Sequence, residues 1–489
     1  MTQAIFQAAL AEAERKDVTL IARFQDINDV FVLINNGKTE KIMNDQSQGI
    51  GVQVFTHEGY SGFAATDNPT VKNVREAVGK AVQLAELNKY FGGEKNTALS
   101  SVDPLVMQLP IPQTASGQAL SLPDLEQAVK EENHYALQCV PGLSVQTFYR
   151  QISEQWQIIR SDGTTASFTI PRATLVHSFT ARGGGRSVTL RSAVGGKDEG
   201  IILDLLKREE ARRRGKRTAR LAVDLLSAPP VKGGHYKLLI DYALAKGLAH
   251  EAFGHAVESD EIQTSILGRD GKLAIGTEVA SPAVSITDGP LIGDWAYQPI
   301  SANGITRDSV KIVDKGKLAA GLGDLFSAAQ AGVVQSGACR AQSYAHIPLP
   351  RMSNIRIEVE KPLPLTKPWY EFTPVELYRL LLDNGLISAG EDVYYLSGYK
   401  GGQVNTQYGD FVFNCAAIYK LGEEPVLYQP GIFAGSTLSA LNSIRAGIGP
   451  LVTDAIGTCG KFGQGVPSSG GSHAFLLLEA SREITIGGE

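Results

Sequence analysis

Residues 229–260 read PPVKGGHYKLLIDYALAKGLAHEAFGHAVESD. A paired proline cannot continue a helix, so Pro229 and Pro230 end whatever helix precedes them. The run HYKLLIDY (235–242) has the apolar, branched character of a strand. LAHEAFGHAVESD (248–260) is rich in helix formers and carries imidazoles and carboxylates. Break, strand and helix come in quick succession and the side-chain chemistry changes with them, which puts a domain boundary at the prolines.

Upstream of that boundary, the segment 201–227 has apolar residues at helical spacing on one side and Arg212, Arg213, Arg214, Lys216, Arg217 and Arg220 on the other. Such a row would suit a phosphate backbone. Glu209, Glu210 and Asp224 flank it, however, and no stacking aromatics interleave, so the expectation is a solvated helix face with no nucleic-acid partner. The earlier residues read as an opening helix and strands at VTLIARF (18–24), DVFVLINN (29–36) and GIGVQVFT (49–56), with a turn at Asn36-Gly37. Next come a helix over 73–89, an extended proline-interrupted connector SVDPLVMQLPIPQ (101–113), a helix over 122–138 and strands across 143–192. Downstream of the prolines, an excess of glycine punctuates many short strands. The expected fold class is α+β in two domains, an N-terminal α/β domain over 1–228 and a β-rich C-terminal domain over 229–489.

Composition bounds the function. The chain has 489 residues, 43% apolar and 20% charged, the profile of a folded multi-domain protein. Its 46 basic and 51 acidic residues give a net charge of −5, which argues against a dominant nucleic-acid footprint. Cysteines at 139, 339, 415 and 459 are too scattered for a disulfide framework and point to a reducing compartment. Neither a secretory leader nor a long apolar run is legible, so the expectation is a cytoplasmic protein without a membrane partner.

The chemistry concentrates at His250, Glu251 and His255. In the familiar H-E-x-x-H arrangement two histidines four apart share a helix face and hold zinc. Here they are five apart, an HExxxH spacing, and a regular helix would set them roughly 140° from one another. A π-bulge restores the alignment, and Gly254 is the position where the backbone yields most cheaply. Two histidines leave a zinc site short of a ligand. Glu258 and Asp260 are near in sequence, but Cys459 lies in a glycine-rich stretch, AIGTCGKFGQGVPSSGG (455–471), shaped either to aim sulfur at a metal or to admit a peptide closely. The plain alternative is a chance HExxxH and a small buried cysteine.

HEAFGHAVESD (250–260), PLPRMSNIRIE (348–358), GGQVNTQYGDFVFNCAAIYKLGEE (401–424) and GTCGKFGQGVPSSGG (457–471) together resemble the TldD/PmbA (TldD/TldE) family of zinc metallopeptidases. INNGKTEKIMNDQSQGIGVQVFTHEGYSGFAATDN (34–68) resembles its strand-rich opening. The resemblance is to the TldD side, because the PmbA-type (TldE) side lacks the HExxxH segment. It implies a zinc-dependent peptidase acting on unstructured or precursor peptides, with Zn2+ on His250, His255 and Cys459 and Glu251 as general base. It also implies a dimer, including a heterodimer with a TldE/PmbA-type chain. Glu258 and Asp260 are candidates for orienting an imidazole. Arg351 and Asn354 are candidates for substrate contact or a buried network, and Asp410 opens a strand that an extended peptide would pair with. His473 follows paired glycines near the cysteine loop, where help to an oxyanion is weighed against the commoner structural role of a lone histidine; His57, His134, His177, His235 and His346 show no ligand spacing, and Cys139, Cys339 and Cys415 read as core. The stretch DGPLIGDWAYQPISANGITRDS (288–309) departs from the family's pattern. Two other readings carry the same residues: an amidase or isopeptidase on a specialised substrate, and a noncatalytic peptide-binding scaffold.

Overall fold

Asn36 and Gly37 both take positive φ, 47° and 80°, as a two-residue type I′ turn requires. They join β1 (Thr19–Asn35) to β2 (Lys38–Phe55) in the computed structural model, which describes residues 2–96, 102–113 and 120–487. VTLIARF and DVFVLINN, read as two strands, are one. The polar middle, Gln25 to Asp29, is held extended by ladders on both sides, to 45–49 of β2 and to 152–156 of a strand further along the chain. Adding β3 (Ser61–Thr66), β4 (Val106–Gln108), β5 (Ser144–Arg160), β6 (Thr165–Gly183) and β7 (Arg186–Gly196) makes a seven-stranded sheet. Its order is β3-β2-β1-β5-β6-β4, with β7 also on β6. β4 lies within the expected connector, of which Ser101 is outside the described residues. Between Pro104 and Pro110 the backbone keeps its N–H groups and pairs parallel with β6.

Helices Thr2–Arg15 and Val71–Tyr90 cover this sheet through Ile5, Phe6, Ala9, Val74, Val78 and Ala81. Leu122–Gln138 forms as expected. The basic helix begins later than its periodicity suggests. Asp204 is extended and accepts from the N–H groups of Leu206 and Lys207, so it separates a short turn, Gly200–Leu203, from the helix Leu205–Asp224. Its cationic face also departs from the expected solvated one. Arg208 and Arg212 clasp buried Glu132, Arg214 meets Asp454 and Tyr242, and Arg217 reaches the Tyr395 hydroxyl. The counter-charges come from distant segments that local flanks do not reveal. Arg213, Lys216 and Arg220 remain exposed.

The second sheet has thirteen strands, with Lys237–Asp241 near its middle. That strand runs parallel to Val393–Asn405 and antiparallel to Gln464–Leu478. Leu238 and Ile240 enter one buried cluster and Leu239 another, so both faces are covered and the run reads apolar without alternation. Three fully enclosed arginines of the first sheet reach into the second half. Arg23 donates to the Ala302 carbonyl and Asn303 Oδ1 at 2.5 and 2.7 Å. Arg160 donates to the Asn303 carbonyl at 3.2 Å, and Arg172 to those of Trp295 and Tyr297 at 3.1 and 3.0 Å. The divergent stretch 288–309 is thus the seat of these arginines. Among the described residues no helix is long and apolar enough to cross a membrane.

Candidate metal centre

Asp241 ends the central strand and caps the next helix, accepting from the Leu244 N–H at 3.0 Å. Strand and cap together aim the segment that bears both histidines. Helix Tyr242–Gly247 runs into a π-helical segment, Leu248–Gly254, and a 3₁₀ turn, His255–Val257. The His255 N–H donates to the His250 carbonyl, an i→i−5 bond that brings histidines five apart onto one face. Their ring centroids are 5.1 Å apart with planes at 87°.

Gly254 serves this segment for a reason other than backbone freedom. Its φ of −59° and ψ of −45° suit any residue. A Cβ there would stand 2.0 Å from Met352 Sδ and 3.0 Å from Ile355 Cδ1, so the missing side chain seats the π turn against a neighbouring strand. Gly254→Val is expected to lower unfolding stability by about 1–3 kcal/mol through overpacking and to weaken metal uptake. Urea unfolding and metal titration check this, and unchanged values in both would remove the packing role.

Cys459 sits on strand Gly457–Lys461, hairpinned to Gln464–Leu478 through Phe462 and Gly463, whose φ values are 47° and 76°. Its Sγ lies 3.4 Å from His255 Nε2, and donor atoms of His250, His255 and Cys459 all fall within 4.8 Å of one another. His250 is fully enclosed and neither ring nitrogen has a hydrogen-bond partner. Burial, reinforced by the Lys246 charge, holds its pKa well below the usual histidine range. A neutral, buried, unpartnered imidazole is costly unless another acceptor of its lone pair is present. Two imidazoles and one sulfur are the kind of donor set that holds zinc and leaves a position open. These residues therefore fit a metal.

The second imidazole is fixed differently. Glu258, fully buried, accepts from His255 Nδ1 at 2.9 Å, which turns Nε2 toward the sulfur. Burial disfavours charge on His255, but Glu258 and Cys459 outweigh it and raise its pKa well above the ordinary value. Burial likewise raises the Cys459 thiol, and His255 more than reverses this, leaving it below the usual range. Glu251 Oε2 lies 3.9 Å from His255 Nε2 and keeps partial solvent access, outside the donor trio.

Of the other candidates, Asp260 bonds to Lys461 at 2.6 Å and not to an imidazole, contrary to expectation. Its backbone has already left the helical turn that aims Glu258. Arg351 is enclosed and donates to the Cys459 and Gln464 carbonyls, so it braces the hairpin and does not face a substrate. Asn354 is enclosed too, donating to the Thr453 carbonyl and Ser469 Oγ at 3.0 Å. Asp410 begins strand Asp410–Lys420, whose edges are occupied by Val393–Asn405 and Ile432–Ser436. No edge is left there for a peptide, which overturns the strand-addition expectation. His473 Nδ1 donates to the Gly449 carbonyl at 2.9 Å. Cys339 and Cys415 are buried and Cys139 is half-buried.

Two lysines escaped the reading of the sequence. Lys246 is enclosed four residues before His250, with its Nζ 3.2 Å from Ser468 Oγ; helical spacing from the first histidine was the available signal. Lys461 is two residues beyond Cys459 and so shares its face of the strand, a signal in the Cys-x-Lys spacing. The arginine-held loop also touches this hairpin: Trp295 Nε1 donates to the Gly457 carbonyl at 3.1 Å, and Ser469 donates to Asp294.

Residues 233–460 match the PmbA/TldA metallopeptidase C-terminal domain, and residues 22–85 match PmbA/TldA metallopeptidase domain 1. The chain belongs to the PmbA/TldD family of metallopeptidases. A metalloprotease of Methanothermobacter thermautotrophicus is 28% identical over 94% of this chain and 92% of its own length. A zinc metalloprotease TldD homolog of Saccharolobus solfataricus is 27% identical over 51% of this chain and 52% of its own. TldE from Thermococcus kodakarensis shares the fold, with a TM-score of 0.75 at 14% identity, covering 99% of this chain and 100% of that one. This PmbA/TldD-family chain is accordingly a metallopeptidase with a mixed α/β, strand-rich fold.

Proposed function

We propose that this metallopeptidase holds Zn2+ with His250, His255 and Cys459 and hydrolyses peptide bonds of unstructured or precursor peptides, with Glu251 as general base. The observation that carries the proposal is the convergence of two imidazoles and a sulfur on one point, with both nitrogens of His250 unpartnered. The donor set favours zinc, and a relative named as a zinc metalloprotease supports the same ion. Zinc in that position supplies Lewis acidity to a carbonyl and to an attacking water. The chain's own groups do the rest. Glu251, adjacent to a ligand yet outside the trio, takes the proton of the attacking water and returns it to the departing amine. Glu258 keeps the His255 proton on Nδ1, so that the Nε2 lone pair stays on the side of the sulfur. Burial lowers the pKa of the enclosed Lys246 while Glu251 and Cys459 oppose that shift, and in its charged form the lysine offsets negative charge gathered there.

The same proposal includes a division of the chain at residue 228, a cytoplasmic location and a dimer, with a TldE/PmbA-type chain as partner. The TldE-like fold supports that pairing. The test is a pool of unfolded peptides incubated with the zinc-loaded chain, alone and with a co-encoded TldE-type chain. Cleavage that stops on chelation and returns with zinc is expected. A fully zinc-loaded chain that cleaves nothing in either setting overturns the proposal in favour of a scaffold.

A further inference from the structure

Lys461 stands at the centre of three carboxylates: Glu258 at 2.8 Å, Asp260 at 2.6 Å and Glu261 at 3.4 Å. Its side chain is 6% exposed and that of Glu258 is 0% exposed, so their contact is shielded from water and salt. One oxygen, Glu258 Oε2, accepts from both Lys461 Nζ and His255 Nδ1, while Oε1 has no partner. The imidazole and the ammonium therefore share a single anchoring atom. The two cations come from different places. His255 lies in the 3₁₀ turn that ends the π segment and the three acids follow that turn directly, whereas Lys461 lies on the strand of Cys459, separated by 203 residues from Glu258.

The alternation of a strand adds a second constraint. Cys459 and Lys461 project from the same face, so a lysine clasped by Glu258 fixes where the sulfur two residues earlier must lie. The chain His255–Glu258–Lys461 thus closes a ring with the 3.4 Å approach of Cys459 Sγ to His255 Nε2. Opposite this ring, Arg351 grips the Cys459 carbonyl, so the strand is held at its backbone and at a neighbouring side chain. His250, by contrast, has no hydrogen-bond partner on either ring nitrogen.

We propose that Lys461 is a positioning residue, which locks the turn bearing His255 to the strand bearing Cys459 and thereby sets the affinity of the metal centre. This rests on the assignment of His250, His255 and Cys459 as ligands. Partners behind metal-bound histidines typically govern affinity by about 10–100-fold. Lys461 acts one bond further out but joins both ligand-bearing elements.

The experiment is zinc affinity of the full chain, measured by competition with a chromophoric chelator and without reference to turnover. Lys461→Met is expected to bind zinc about 10–100-fold more weakly, and Lys461→Arg to recover most of the loss. Wild-type affinity in a folded Lys461→Met overturns the clamp. Should Lys461→Met fail to fold because Glu258 is left buried without its ammonium, the double variant Glu258→Gln/Lys461→Met is read against Glu258→Gln alone: weaker zinc binding by the double variant supports the clamp, and equal binding overturns it. Absence of zinc binding by the wild type, or binding undiminished in Cys459→Ala, overturns the ligand assignment and the clamp with it.

Discussion

Glu251→Gln is expected to lower peptide turnover by about 10²–10⁴-fold, the contribution of a positioned general base, while the chain keeps its full complement of metal. The substitution preserves shape and one hydrogen-bond acceptor and removes the basicity together with the negative charge. Glu251 is next in sequence to His250, yet its carboxylate stands outside the trio that converges and 3.9 Å from His255 Nε2. On the proposed reading, a group in that place exchanges a proton with a water beside the metal and does not hold the ion. Turnover and metal content measured on the same preparation separate the roles. Undiminished turnover removes Glu251 from the chemistry, and loss of metal makes it a ligand.

Cys459→Ala is expected to abolish stable metal binding, an effect larger than the about 10–100-fold associated with outer partners. On the proposed assignment a third protein ligand is lost, and the two imidazoles that remain are unequal. His255 stays anchored by Glu258, whereas His250 has no partner on either nitrogen. A cysteine serving only as a small core residue behaves otherwise: its loss lowers stability modestly and leaves metal content untouched. Metal analysis together with urea unfolding distinguishes these outcomes.

How much of the fold and of the metal centre is legible in the sequence depends on the range of the interaction. The π segment is, because a spacing of five between His250 and His255 conflicts with a regular helix and only an i→i−5 turn resolves it. The Asn36-Gly37 hairpin is, because its two positive φ values belong to the residues themselves. The continuity of β1 is not, since the polar run from Gln25 to Asp29 is kept extended by partners more than a hundred residues away on one side. The basic helix looks solvated in sequence because Glu132, Asp454 and Tyr242 are remote along the chain and near only in the fold. Asp410 misleads for the same reason, as a strand in sequence does not disclose which of its edges are occupied. Lys461 carries a readable local signal in its spacing from Cys459, but its meaning requires Glu258 to arrive from the other element.

X-ray absorption at the zinc edge of the metal-loaded chain tests the central claim most directly. The expected first shell contains imidazole nitrogens together with a single sulfur at about 2.3 Å, and the sulfur contribution disappears in Cys459→Ala. A shell of nitrogen and oxygen alone in the wild type, unchanged by that substitution, would contradict the joining of His250, His255 and Cys459 around one ion.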